Sequence, residues 1–207
     1  MFNQNTNDKK IILMLLMLAG IVLVVLACTE PYRTYMLNYG VYPFDSDEKI
    51  TIAVLPFRNA SGVGGAGIKV AESFQLQLLN TQRFYVLERT KLDEVLREQK
   101  FTSRGEIFDP AEASKVGKLA GADLVVLGTV SRYNEKWPGE APPIVGLNIR
   151  IVEVETGSVV WAASDVFRGN DRSIQHLVPS SERWKLKTDL DFLTTVLCRE
   201  MARTLSI

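Results

Sequence analysis

DPAEASKVGKLAGADLVVLGTV, residues 109–130, is the stretch that decides the fold. Asp109 followed by Pro110 reads as a helix cap and first turn, and Glu112, three residues after the cap, can reach back to the cap amide. Ala113, Val116, Gly117 and Ala120 then recur at helical spacing. Their small side chains make a narrow face suited to close packing on a sheet. Gly121 supplies the residue that ends such a helix. Leu124-Val125-Val126-Leu127-Gly128-Thr129-Val130 follows as a buried strand.

Working outward, Ile50-Thr51-Ile52-Ala53-Val54-Leu55 is a β-prone apolar run that Pro56 ends. A glycine-rich loop follows over 58–67. A helix is expected over roughly 68–80, with Ala71, Phe74 and Leu78 on one face. Phe84-Tyr85-Val86-Leu87 is a second strand. Thr90 can cap the next helix, where Leu92, Val95, Leu96 and Gln99 follow helical spacing. Downstream, Val145, Leu147, Ile149 and Ile151 alternate with Gly146, Asn148 and Arg150, the mark of a strand with one buried face. Glu155-Thr156-Gly157 turns that strand into Val159-Val160-Trp161-Ala162-Ala163, giving a hairpin. A last helix begins near Asp189 with the stripe Leu190, Leu193, Leu197, Met201 and Leu205. The order β-α-β-α-α-β-β-β-α predicts one α/β domain over 49–207, a mixed β-sheet covered by helices. There is no internal repeat and no low-complexity tract.

The amino terminus carries a different signal. Residues 11–28 hold no charged or polar side chain, and Lys9 and Lys10 stand just before them. A positive start, an apolar centre and a small residue before the cut form an export signal. The ending Val25-Leu26-Ala27-Cys28 resembles the bacterial lipobox, which implies cleavage after residue 27 and a lipid on Cys28. The expected division is a signal peptide at 1–27, a lipidated start and tether at 28–48, and the folded domain from 49. The competing reading is an uncleaved anchor helix. Residues 11–27 number 17, just short of the roughly 20 that span a bilayer. Both readings leave Lys9 and Lys10 in the cytoplasm and export the rest. Thr29 stands where Asp usually marks inner-membrane retention, which directs the chain to the outer membrane.

Composition narrows the chemistry. Lys and Arg number 24 against 24 Asp and Glu, so the excess of basic residues that carries nucleic-acid binding is missing. Cys198, the one cysteine besides Cys28, lies in an apolar helical pattern and reads as a small buried hydrophobe. With His176 the only histidine, a His/Cys metal cluster is not available. His176 lies near Asp171, Ser180 and Ser181, but nothing there fixes an oxyanion hole, so no catalytic residue is assigned. Gly62-Val63-Gly64-Gly65-Ala66-Gly67 matches G-x-G-x-x-G between a strand and a helix, with Glu88 downstream. The fingerprint should open directly after the strand. Here Pro56 and residues 58–61 intervene and the second mononucleotide half is missing. The loop is therefore read as a surface loop at a helix start, and no cofactor is expected beyond the covalent lipid.

Four segments together resemble the CsgG family of outer-membrane lipoproteins: Ile52-Ala53-Val54-Leu55-Pro56-Phe57; Phe84 to Arg89 with Leu92 to Gln99; Gly117 to Gly128; and Leu147 to Gly157. The resemblance implies a periplasmic α/β domain that assembles as a homo-oligomeric ring and serves export of an extracellular polymer. Curli-type members thread unfolded subunits through a β-barrel that the ring builds. PelC-like members form a ring beneath a separate exopolysaccharide export pore. LpoB-like members activate a peptidoglycan synthase.

Loop chemistry chooses among them. A barrel-forming subunit must donate strands of about 9–11 residues through lipid. The first insertion slot, residues 131–144, holds Pro138, Pro142 and Pro143, which oppose a strand ladder. The second, residues 168–185, is charged, with little apolar alternation. Neither is expected to cross a bilayer, which favours the PelC-like layout over the curli channel. Trp137 in the first slot, and Trp184 between Arg183 and Lys185 in the second, are candidate membrane contacts. The tether at 28–48 is short for the LpoB-like role.

Overall fold

The computed structural model describes residues 14, 17, 35–37, 49–98, 109–134 and 141–206. The chain divides into two units, 1–33 and 34–207. Of the first, Met14 and Met17 are described, and both are helical and exposed. No helix among the described residues is long and apolar enough to cross a membrane.

In the second unit the strands are β1 (Tyr35–Leu37), β2 (Ile50–Val54), β3 (Arg58–Asn59), β4 (Phe84–Val86), β5 (Leu124–Asn134), β6 (Ile144–Glu153) and β7 (Val159–Arg168). The helices are α1 (Ala66–Asn80), α2 (Arg89–Glu98), α3 (Pro110–Ala120), α4 (Arg183–Thr188) and α5 (Leu190–Arg203). From β2 onward, the main elements follow the order read from the sequence.

The deciding stretch folds as its residues dictate. The Asp109 carboxylate accepts from the Ala111 amide at 2.8 Å, and Gly121 closes α3 at φ 73°. Gly117 is needed where it stands, because a Cβ there would collide with Val125 of β5 and with Val154, just past the end of β6. Removing that one side chain lets α3 lie against β5 and β6.

The sheet runs β1-β7-β6-β5-β2-β4, with β3 paired to the far end of β5. β2 is parallel to both β4 and β5, and the β5–β6, β6–β7 and β7–β1 pairs are antiparallel. Helices therefore bridge the parallel half, while tight connections link the antiparallel half. On one face, Ala53, Leu55, Val125, Leu127, Val152 and Val154 pack with Leu92 and Leu96 of α2 and Ala113, Val116 and Ala120 of α3. The alternate residues Ile52, Val54, Leu124 and Val126 are buried on the other face, which α1 and α5 cover. The α5 stripe Leu190, Leu193, Leu197, Met201 and Leu205 is buried throughout. Each large aliphatic side chain buried there contributes about 1.5–3 kcal/mol.

Three local readings change. Residues 35–37, read as part of a patternless tether, form β1, with Tyr35 opposite Ser164 and Leu37 opposite Ala162. Three residues are too few to show an alternation, and their partner is distant in sequence. Thr90 is not a cap, because α2 already begins at Arg89, which lies 3.6 Å from both Glu72 and Asp93. β5 and β7 also run past Val130 and Ala163, because β6 pairs with both along their length.

Candidate functional site

Cys28 and Trp137 lie outside the described residues. Trp184 sits on α4 and is 62% exposed. Of its two charged neighbours, Lys185 is engaged within the domain, bonded to Glu182 at 2.8 Å and set over the Phe192 ring at 5.3 Å. Arg183 donates to the Gln175 carbonyl at 3.1 Å, and Lys187 is exposed. Trp184 thus presents an amphipathic ring beside cationic side chains.

The two insertion slots take different forms. In the first, the β5–β6 ladder continues through Arg132, Tyr133 and Asn134, which face Gly146, Val145 and Ile144. Pro142 and Pro143 fall just before β6, outside the ladder. The second slot is helical: 3₁₀ turns at Arg172–Leu177 and Ser180–Glu182 lead into α4. The Gly169 amide donates to the Pro143 carbonyl at 2.9 Å, which ties the described parts of the two slots together. Gly169 also sits directly on the Leu186 carbonyl, where a Cβ has no room.

The glycine-rich loop is stitched to itself. The Ser61 amide and hydroxyl both donate to Asn59 Oδ1, the Val63 amide donates to Ser61 Oγ, and Asn59 Nδ2 donates to the Val63 carbonyl. Gly65 takes a left-handed φ of 75° at the start of α1, while Gly67 packs against the Phe57 carbonyl so closely that a Cβ would overlap it. Phe57 in turn covers Gly128 and meets Phe74 at 6.2 Å between ring centres. Gly67 thus lets α1 start hard against the Phe57 backbone, and Gly128 leaves room for the Phe57 ring over β5.

A cleft of about 250 Å³ opens between α1 and α5 at the end of β5. Lys69, Glu72, Ser73, Tyr133, Asp191, Thr194 and Thr195 line it. Tyr133 is buried, and its hydroxyl donates to Asp191 Oδ1 at 2.9 Å. The sequence gives no hint of this site, since its residues come from three distant segments and form no motif. Tyr133 reads there as an ordinary loop residue of the first slot.

Three other groups are not among the cleft's lining residues, although Cys198 bonds to one of those residues. His176 is exposed on a 3₁₀ turn. Cys198 is fully buried, and burial pushes its thiol up to about 12 despite a hydrogen bond with Ser73. On β7, burial raises Asp165 to about 6, against the lowering effect of its bond from the Val166 amide. Among the described residues no group of three or more His, Cys, Asp or Glu is placed to hold a metal ion.

The three-layer arrangement and its strand order define a class of α/β domain with known members. Residues 39–175 match the family described as "Curli production assembly/transport component CsgG", and the chain belongs to that family. Among solved structures, two PelC dodecamers from Paraburkholderia phytofirmans share the fold at TM-scores of 0.57 and 0.53. Each is 16% identical; the match covers 84% of this chain and 98% and 96% of theirs. Lipoprotein GNA1162 from Neisseria meningitidis matches at a TM-score of 0.51 and 20% identity, over 75% of this chain and 99% of that one. No curated protein matches the chain by sequence.

Proposed function

We propose that this chain is a periplasmic lipoprotein, anchored to the outer membrane through a lipid on Cys28, that forms an oligomeric ring assisting secretion of an extracellular polymer, in this reading an exopolysaccharide. It performs no chemistry and works beside a separate export pore. The observation that carries the reading is the form of the two insertion slots. Where a barrel-building subunit needs two long membrane-crossing hairpins, the second slot here is short helical turns, and in the first the described ladder reaches only Asn134 and Ile144, with Pro142 and Pro143 standing just outside it. The shared fold with PelC dodecamers supports the same choice. Trp184, and Trp137 in the first slot, would add interfacial footholds beside the lipid.

The test is the mass of the full chain extracted in mild detergent, by light scattering. A closed ring of many copies is expected, and a monomer sinks the reading. Membrane fractionation of Cys28→Ser, with and without Trp184→Ala, tests the anchor. Cys28→Ser should release most of the protein, and the added Trp184→Ala should release more.

A further inference from the structure

We infer that the cleft between α1 and α5 is a binding site for a single neutral, hydroxyl-rich sugar unit. The choice of a saccharide rests on the polymer-export reading, while the demand for a hydroxyl-rich ligand comes from the cleft alone. α1 and α5 pack on each other on one face of the sheet. At this point the residues they turn toward each other are short: Ser73 on α1, Thr194 and Thr195 on α5. The space they leave is lined about equally by polar and apolar surface, and the polar atoms come from these short side chains and their neighbours.

Those atoms are nearly all acceptors. Thr194 Oγ1 donates its proton to the Leu190 carbonyl at 2.7 Å, and Thr195 Oγ1 donates to the Asp191 carbonyl at 2.9 Å. Both hydroxyls have therefore spent their hydrogens within the helix and can only accept from a ligand. Tyr133 has likewise given its hydrogen to Asp191, which holds that carboxylate in place. Glu72 and Asp191 accept only, and Lys69 is the one cationic side chain lining the cleft. A ligand that fits must bring several donors of its own.

Charge and size narrow the class. Glu72 is 3.6 Å from Arg89, so its charge is shared, and the lining also holds one cation, Lys69, and one further carboxylate, Asp191. The cleft is near neutral. A phosphate or uronate would meet two carboxylates, while a bare cation would leave the threonine oxygens unused. The volume of about 250 Å³ falls just under the roughly 300–1,000 Å³ of drug-sized pockets, which suits one pyranose ring better than a chain of them. Thr194 and Tyr133 are almost wholly buried, at 3% and 6% exposure, so the floor of the cleft is fixed before a ligand arrives.

The experiment is saturation-transfer NMR on the full chain in detergent, with methyl glycosides of glucose, galactose, mannose and N-acetylglucosamine as probes and inorganic phosphate as the charged control. At least one glycoside should bind with a dissociation constant on the order of millimolar. Thr195→Val and Asp191→Ala should each weaken it at least fivefold while leaving the thermal transition cooperative. Thr195→Val removes an acceptor from a partly buried side chain of nearly the same shape, and the helical backbone keeps its own hydrogen bonds, so the fold should survive it. The proposal is overturned if no glycoside gives saturation transfer, if phosphate binds in their place, or if the variants bind as wild type does. A monomer that binds the glycoside sinks the ring and keeps the site; a ring that binds none does the reverse.

Discussion

The sharpest test of how this domain is built is Gly67→Ala. At Gly67 an added methyl would overlap the Phe57 carbonyl oxygen and lie 3.1 Å from the carbonyl carbon. That obstacle is backbone, so no rotamer change can relieve it. The start of α1 must move off the Phe57 backbone, loosening the contact of Phe57 with Phe74 and its seat over Gly128. Overpacking of this kind costs about 1–3 kcal/mol, and a backbone obstacle places Gly67→Ala at the top of that range. In a domain of this size that lowers Tm by roughly 6–12 °C. Two neighbours calibrate the result. Gly64 has no left-handed φ, and a methyl added there would meet nothing within 4 Å, so Gly64→Ala should lie within about 0.5 kcal/mol of wild type. Gly65 has open space but a φ of 75°, and Gly65→Ala should cost about 1–2 kcal/mol from that conformation alone. Urea unfolding of the full chain, followed by fluorescence of the buried Trp161, ranks the three. If Gly67→Ala unfolds at the same urea concentration as wild type, or Gly64→Ala is equally damaging, the account of the loop as a packing device is wrong.

Two further outcomes follow from buried groups. Asp165 has an ordinary value of 3.8 and a folded value of about 6, so the folded state holds its proton longer than the unfolded state. Its contribution to stability is present below about pH 4 and is lost as pH rises toward and through 6; the unscreened loss is about 3 kcal/mol. Partial exposure discounts that to roughly 1–2 kcal/mol. Asp165→Asn should therefore raise the urea midpoint at pH 7 and flatten its fall between pH 4 and 7, and an unchanged pH profile would count against this. Cys198 is buried, with its thiol raised to about 12, and should not react with a thiol reagent in the native protein at pH 8. If Cys28 is lipidated, the count should be no titratable thiol when folded and one in denaturant; two in denaturant would mean an unmodified Cys28.

Much of this fold is legible because its signals are local. The Asp109–Pro110 start, the Gly121 stop and the small face of α3 each act within a dozen residues, and the structure places all three as read. The α5 stripe and the alternation in β6 are equally self-contained. What could not be read depends on partners far along the chain. β1 exists only because β7 lies beside it, and the extended ends of β5 and β7 exist only because β6 pairs with them. The cleft is the extreme case. Lys69, Tyr133 and Asp191 meet only after the sheet has formed and α1 and α5 have docked on one face, and no spacing in the sequence encodes that meeting. The glycine-rich loop shows the opposite hazard, since a familiar pattern of glycines proves to fit a phenylalanine carbonyl.

The short strand at the sheet edge also sets a leash. With Tyr35 clipped beside β7, only residues 29–34 lie between Cys28 and the folded body. The seven steps from Cys28 to Tyr35, drawn out straight, reach no further than about 25 Å. If Cys28 carries the proposed lipid, that length is the most that can separate the anchor from β1. On the proposed reading, whatever the domain handles would then have to be met within that distance of the anchor.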